Sequence, residues 1–304
     1  MKNLKKIAAL LIAVMTVVGL AACGGGQAAP AEDAAPAAET TAADAADAAE
    51  GTVNDGTGKV LRVAMECGYA PYNWTQGDDS NGAVPIEGSS DYAYGYDVMM
   101  AKYIAEKLGM ELKIVKLDWD SLPMAVQSGA VDAVISGQSI TSERLEVLDF
   151  TEPYYYASIV TLTKADSPYA NAKGISELKG AKAVSQINTV WYAECIPPIP
   201  EVNALPAQES APQMLVALDA GSTDIVVTDE PTAMGAMVAY DGFKILDFTG
   251  TDDDFQVSQE EINIGISIQK GNTGLKDAMN GVLATLTEQD FKDWMNQAIQ
   301  VKPL

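Results

Sequence analysis

Cys23 follows Leu20-Ala21-Ala22 at the end of an apolar run, a spacing that suits cleavage before the cysteine and attachment of a diacylglycerol to its thiol. The other two cysteines, Cys67 and Cys195, have no imidazole to activate them, because the 304 residues include no histidine. Its absence removes the commonest general base, the Ser-His-Asp and Cys-His nucleophiles, and His-ligated metal sites. Most hydrolase chemistry goes with it, and no metal or cofactor is expected. The charge excludes further classes. With 19 Lys+Arg against 42 Asp+Glu, a formal −23, the folded surface cannot wrap nucleic acid or grip an anionic membrane, since both require an excess of basic groups.

The first 58 residues read as export and tether. Lys2, Lys5 and Lys6 precede the apolar run Ile7 to Ala22, as in a secretory signal, and Leu20-Ala21-Ala22-Cys23 resembles a bacterial lipobox. An ordinary signal peptide or a short membrane helix is the alternative. No later stretch approaches the roughly 18 apolar residues of a membrane span. Residues 24–58 are mostly Ala, Gly, Thr, Pro and acids (Glu32, Asp33, Glu39, Asp44, Asp47, Glu50, Asp55) without Lys, Arg or aromatic residues. So little burial is available that a disordered, self-repelling tether is expected.

The chemistry-bearing residues beyond this point must be positioned by alternating strands and helices. Lys59 to Met65 alternates like a strand. Val98 to Leu108 has helical spacing and ends at Gly109, a C-cap signal. A strand over Glu111 to Leu117, a helix over Ser121 to Ser128 closed by Gly129, and a buried strand over Val131 to Ile135 follow. A second series comprises Ala181 to Gln186 (strand), Trp191 onward (irregular helix), Ala211 to Ala220 (helix), Asp224 to Thr228 (strand) and Pro231 to Tyr240 (helix). This rhythm predicts two α/β lobes, each a mostly parallel sheet flanked by helices. Ser158 to Lys164 and Asn263 to Lys270 are placed to be paired crossover strands, and helices over Leu275 to Leu286 and Glu288 to Gln300 return to the first lobe. The expected division is 1–23 signal, 24–58 tether, 59–160 with 266–304 lobe one, and 161–265 lobe two.

Five stretches in fixed order carry a family resemblance: Leu61-Arg62-Val63 through Gly68-Tyr69-Ala70-Pro71-Tyr72; Gly95-Tyr96-Asp97-Val98; Ser128-Gly129-Ala130-Val131-Asp132 through Ser142-Glu143-Arg144; Asp149-Phe150-Thr151-Glu152-Pro153-Tyr154-Tyr155; and Asp224-Ile225-Val226-Val227-Thr228-Asp229-Glu230-Pro231. Over residues 59–304 the chain resembles the extracytoplasmic solute-binding proteins of polar amino-acid ABC importers. The resemblance implies a two-lobed, periplasmic-binding-protein-like type II fold that closes around a free amino acid. It also implies hand-over to a membrane permease whose separate subunits hydrolyse ATP, this chain having no Walker A sequence.

A zwitterion needs a fork of donors for its carboxylate and an anion for its ammonium. By resemblance, Arg144 occupies the carboxylate-binding position and Asp229 the ammonium-binding one. Surface pairing of Arg144 with Glu143 or Glu146, and helix N-capping by Asp229, are the plainer roles, and one carboxylate does not easily both cap and bind. Ser136, Gly137 and Ser139 match further zwitterion contacts from lobe one. Asn188 and Thr189 fall on the carboxylate loop of lobe two, where Ile187 replaces the usual glycine, and ordinary capping is their alternative. Tyr69 and Trp119 match residues that sandwich the ligand, with Trp191 nearby, while Tyr72 and Trp74 read equally as core. Glu66 matches the position that meets a side-chain cation in binders of basic amino acids. Aromatic faces and an acid favour basic or aromatic ligands. Residues 75–93 form a longer Gly/Asp/Ser-rich loop beside this pocket.

Cys67 and Cys195 are expected to be free thiols, since a bridge between the lobes would block closure. The expected molecule is a monomer, held at the outer face of the cell membrane through Cys23. Other classes remain open on the residues alone: a dehydratase of the cyclohexadienyl type using Glu66 or Glu152 as general acid, an amino-acid sensor, or a surface protein that keeps only the scaffold.

Overall fold

The computed structural model describes residues 54–258 and 262–301. Cys23, the export signal and most of the expected tether lie outside these residues. Residues 54–58 are not tether. Asn54 donates to the Val60 carbonyl and accepts from the Gly56 and Gly58 amides, and Asn272 donates to its carbonyl. Four side-chain hydrogen bonds there offset the ordering entropy that composition alone had left uncompensated.

In chain order the strands are β1 (Val60–Met65), β2 (Gly68–Tyr69), β3 (Asn73–Gln76), β4 (Val84–Pro85), β5 (Tyr92–Tyr94), β6 (Glu111–Lys116), β7 (Ala133–Val134), β8 (Leu148–Phe150), β9 (Ile159–Lys164), β10 (Lys182–Val184), β11 (Asn203–Ala204), β12 (Ile225–Asp229), β13 (Phe243–Leu246) and β14 (Ser267–Gln269). The helices are α1 (Tyr96–Leu108), α2 (Leu122–Gln127), α3 (Ser142–Val147), α4 (Ala211–Asp219), α5 (Glu230–Ala239), α6 (Thr273–Leu283) and α7 (Glu288–Gln300). Gly109 ends α1 with φ 67°, the left-handed conformation that a residue without Cβ adopts at little cost. Beyond Val190 the chain makes a single π-helical turn, Trp191–Cys195, where an irregular helix was expected.

Two five-stranded sheets form the lobes, in the orders β6-β1-β7-β14-β8 and β11-β10-β12-β9-β13. Each is half parallel: β1 runs parallel to β6 and β7, and β10 parallel to β11 and β12, whereas β14 and β9 enter antiparallel. The expected mostly parallel sheets are therefore mixed. A strand that arrives from the other lobe cannot complete a right-handed βαβ crossover, so it inserts head to tail. For the same reason the two crossovers do not pair along their lengths. β9 pairs with β12 and β13, β14 with β7 and β8, and a bridge between Tyr155 and Ile264 links the two connections. β12 and nearly all of β9 are buried on both faces, as central strands flanked by helices must be.

Residues 75–93 are largely ordered. Together with β2 they build a small antiparallel sheet, β2-β3-β5-β4, and Ile86 bridges to Ile114 so that the edge of β6 is covered. α7 begins with a capping box between Thr287 and Asp290. It packs on α1, with Trp294 edge-on to Tyr103 at 5.3 Å, and also on α5 of the second lobe. The last helix thus touches both lobes rather than the first alone.

Candidate functional site

Two adjacent parallel strands in each sheet end toward the same cleft, the position at which open α/β sheets bind ligands. In lobe one β1 leads into Glu66 to Tyr69 and β7 into Ser136 to Ile140. In lobe two β10 leads into Ser185 to Thr189, and β12 ends on Asp229. Arg144 projects from α3, whose N-cap Thr141 accepts the Arg144 amide at 3.3 Å.

Arg144 donates from Nη1 to the Ser139 carbonyl and from Nη2 to the Asn188 carbonyl, each at 2.9 Å, and its guanidinium lies 5.4 Å from the centre of the Trp119 ring. Among the described residues no ion pair forms with Glu143, Glu146 or any other carboxylate. Burial pulls its pKa down to about 10 against the charge of Glu143, so the group stays protonated at neutral pH while its hydrogen bonds go to neutral carbonyls and its face to an aromatic ring.

Asp229 has no solvent exposure and combines the two roles set against each other above. It caps α5, with Oδ1 accepting the Thr232 amide at 2.8 Å and Oδ2 the Thr232 hydroxyl at 2.9 Å. The same oxygens accept the Tyr69 hydroxyl at 2.5 Å and the Tyr72 hydroxyl at 3.3 Å across the cleft. A carboxylate has about four acceptor directions, so capping does not exhaust it. Burial raises its pKa, against the hydrogen bonds from Tyr69 and Thr232.

Other residues join the lobes. Trp119 donates to the Ile187 carbonyl at 3.1 Å, Asn188 Nδ2 to Asp120 at 2.8 Å, and Gln186 to Glu66 at 3.5 Å. Glu66 is 8 % exposed; burial pushes its pKa up to about 7, and Asp118 and Asp120 push in the same direction against Gln186 and Lys116. Gly137 has φ 61°, and the Tyr69 ring lies so close that a Cβ there would stand 2.7 Å from Cε1. Glycine is therefore required on both counts.

Several expected contacts are turned elsewhere. The Ser136 hydroxyl faces inward, accepting the Glu66 amide at 3.2 Å and lying 3.4 Å from Asn73 Nδ2. Ser139 reaches Arg144 through its carbonyl. The Thr189 hydroxyl donates to the Gln186 carbonyl at 2.7 Å and accepts the Tyr192 amide at 3.4 Å. Tyr69 stacks on Tyr72, centroids 4.8 Å apart. Trp191 is packed in the core, and Glu152 is exposed, its amide bonded to Asn280 of α6. Cys67 and Cys195 are free and buried, and burial pushes the Cys67 thiol up to about 12. Gln186 and Asp120 are cleft residues that sequence reasoning did not single out, and Tyr72, which it read equally as core, reaches Asp229 with its hydroxyl.

Two grooves of about 510 and 530 Å³ lie elsewhere, one lined by residues including Trp74, Leu215 and Tyr240, the other by residues including Tyr156, Met234 and Phe291. Neither is lined by Arg144, Asp229 or Glu66. Across the cleft, Arg144 of lobe one meets the Asn188 carbonyl of lobe two, Asp229 of lobe two meets Tyr69 and Tyr72 of lobe one, and Glu66 meets Gln186.

The profile of the bacterial extracellular solute-binding proteins, family 3, matches residues 61–299. The arginine-binding extracellular protein ArtP of Bacillus subtilis is 30% identical over 43% of this chain, an alignment spanning 46% of that protein. The L-arginine-binding protein of Pseudomonas aeruginosa is 27% identical over 75% of this chain and 83% of its own length. An amino acid ABC transporter substrate-binding protein from Streptococcus pneumoniae, solved with L-arginine, superimposes with a TM-score of 0.68 at 25% identity, covering 81% of this chain and 96% of that one. Lobes, cleft and sequence agree, and the chain belongs to family 3 of the bacterial extracellular solute-binding proteins.

Proposed function

We propose that the chain is the extracytoplasmic substrate-binding component of an amino-acid ABC importer, and that its ligand is a free amino acid with a cationic side chain, L-arginine foremost. The observation that carries this is Arg144, a protonated guanidinium in the cleft without a carboxylate partner among the described residues, opposite the buried Asp229. An α-carboxylate completes the first, an α-ammonium takes the place of the Tyr69 and Tyr72 hydroxyls on the second, and burial between the lobes strengthens both pairs. Glu66, with Asp118 and Asp120 beside it, supports a cationic side chain, as do the arginine-binding relatives. The bodies that close are 59–160 with 266–304 and 161–265, acting as a monomer. The loaded form is read by a permease with its ATPase subunits, and Cys23 carries the lipid that keeps the protein at the outer membrane face. Binding, not catalysis, is the reading supported: Glu152 is not in the cleft, and Glu66 serves as a charge partner.

The pH dependence tests the Glu66 assignment. In the free protein its pKa is raised to about 7. A ligand cation stabilises the carboxylate and lowers that pKa, so binding below pH 7 releases a proton. Affinity for L-arginine is therefore fully present above about pH 7 and falls as pH drops, by up to about tenfold per unit. Calorimetric titrations from pH 5 to 8 check this. In Glu66→Gln the affinity is weaker at pH 8 and the slope flattens; an unchanged slope would remove Glu66 from the side-chain subsite.

A further inference from the structure

Strands β1 and β7 both run into residues with left-handed backbone, Cys67 at φ 52° and Gly137 at φ 61°. Such residues, the first of them carrying a Cβ, persist only where the surroundings hold them. The Cys67 amide donates to Asn73 Oδ1 at 2.6 Å, and the Gly137 amide donates to the Tyr154 hydroxyl oxygen at 3.1 Å. Asn73 and Tyr154 then converge on one group. Asn73 Nδ2 donates to Asp97 Oδ2 and the Tyr154 hydroxyl to Asp97 Oδ1, each at 2.7 Å. Asp97 lies in the first turn of α1 with no solvent exposure, where the helix N-terminus favours a negative charge.

Burial raises the Asp97 pKa to about 7, against the hydrogen bonds from Tyr154 and Asn73, and above that pH, as at pH 8, the ionised carboxylate only accepts hydrogen bonds. It therefore obliges Asn73 to turn its amino group inward, leaving the carbonyl for Cys67, and obliges Tyr154 to donate, leaving a lone pair for Gly137. We propose that Asp97 is a positioning residue for the binding cleft. Its acceptor-only charge sets the direction of two hydrogen-bond relays, which hold the loop bearing Glu66 and Tyr69 and the loop bearing Ser139 and leading to Arg144. The inference rests on the amino-acid-binding reading for its functional consequence, not for the relays themselves.

Asp97→Asn replaces one acceptor by a donor, so one relay must reverse. Either Asn73 turns its amino group toward the Cys67 amide, or the Tyr154 hydroxyl proton loses its acceptor. Tyr154→Phe removes only the Gly137 relay and leaves the ring in place. Two readouts on the full chain separate positioning from general stability. Amide hydrogen exchange by NMR should accelerate about tenfold or more, the scale of a lost hydrogen bond to a charged group. It should do so at Gly137 in Tyr154→Phe, and at Cys67 or Gly137 in Asp97→Asn, with Val226 and Val227 of the second sheet unchanged. Calorimetric affinity for L-arginine should fall about tenfold or more in both variants. Exchange at Cys67 and Gly137 equal to wild type, or uniform acceleration that includes Val226 and Val227, would overturn the proposal. So would wild-type affinity in both variants. If the wild-type protein itself does not bind L-arginine, the ligand reading fails, while the exchange readout still decides the relays.

Discussion

Arg144→Ala weakens amino-acid binding by roughly 30-fold or more while the protein stays folded. The side chain is half-buried, its two donors go to the Ser139 and Asn188 carbonyls, and no ion pair among the described residues depends on it. Removing it leaves two carbonyls that water can reach and takes one cation–π contact from Trp119, so the melting temperature should shift only modestly, for a loss of about 1 kcal/mol. For the ligand the consequence is larger. Its carboxylate would enter a cleft with no counter-charge, a loss of about 2–5 kcal/mol, or roughly 30-fold to several thousand-fold in affinity. Arg144→Lys separates charge from geometry. A point ammonium cannot reproduce the planar fork, so most of the loss should persist although the net charge is unchanged. Calorimetry gives the affinities and thermal unfolding checks the fold; normal binding by Arg144→Ala would remove the carboxylate subsite from the account.

Asp229→Asn should weaken binding by about 10²- to 10³-fold, as expected when one member of a buried charge pair loses its charge. Asn is as good an N-cap as Asp, so α5 keeps the bond from the Thr232 amide. The stability cost should therefore be small, and Asp229→Ala should lose about 1 kcal/mol more because the cap goes too. Tyr69 and Tyr72 reach the same carboxylate from lobe one. Their hydroxyls show how this group draws donors across the cleft, and a ligand ammonium is a stronger donor still. Equal affinities for the wild type and Asp229→Asn would mean that the carboxylate serves the helix and the tyrosines only.

Much of the fold was legible because apolar spacing reports burial directly. α1, with its stop at Gly109, and the buried run of β12 lie where the pattern predicts. Strand direction was not legible. Nothing in Ser158 to Lys164 or Asn263 to Lys270 says which neighbour each strand meets, and the mixed pairing of β9 and β14 follows from chain connectivity between the lobes. The tether boundary was missed at Asn54 because the bonds that hold it come partly from Asn272, 218 residues away. In the site, Arg144, Asp229 and Glu66, each inside a quoted stretch, bond to residues of the opposite lobe. Side-chain direction does not follow from those stretches. Ser136 turns to the Glu66 amide of the neighbouring loop, 70 residues away, whereas Thr189 satisfies a local carbonyl, as short hydroxyl side chains readily do. Asp97 was part of a quoted stretch, but its connection to both binding loops needs Asn73 and Tyr154 in three dimensions.

The central claim is that the cleft takes a zwitterion with a cationic side chain. Calorimetric titration of the wild-type protein at pH 8 with L-arginine, and in parallel with L-aspartate, tests it directly. The account predicts saturable one-to-one binding of L-arginine, none of L-aspartate, and a matching rise in melting temperature with L-arginine by mass action. Binding of L-aspartate in preference to L-arginine, or no heat and no thermal shift with L-arginine, would contradict it.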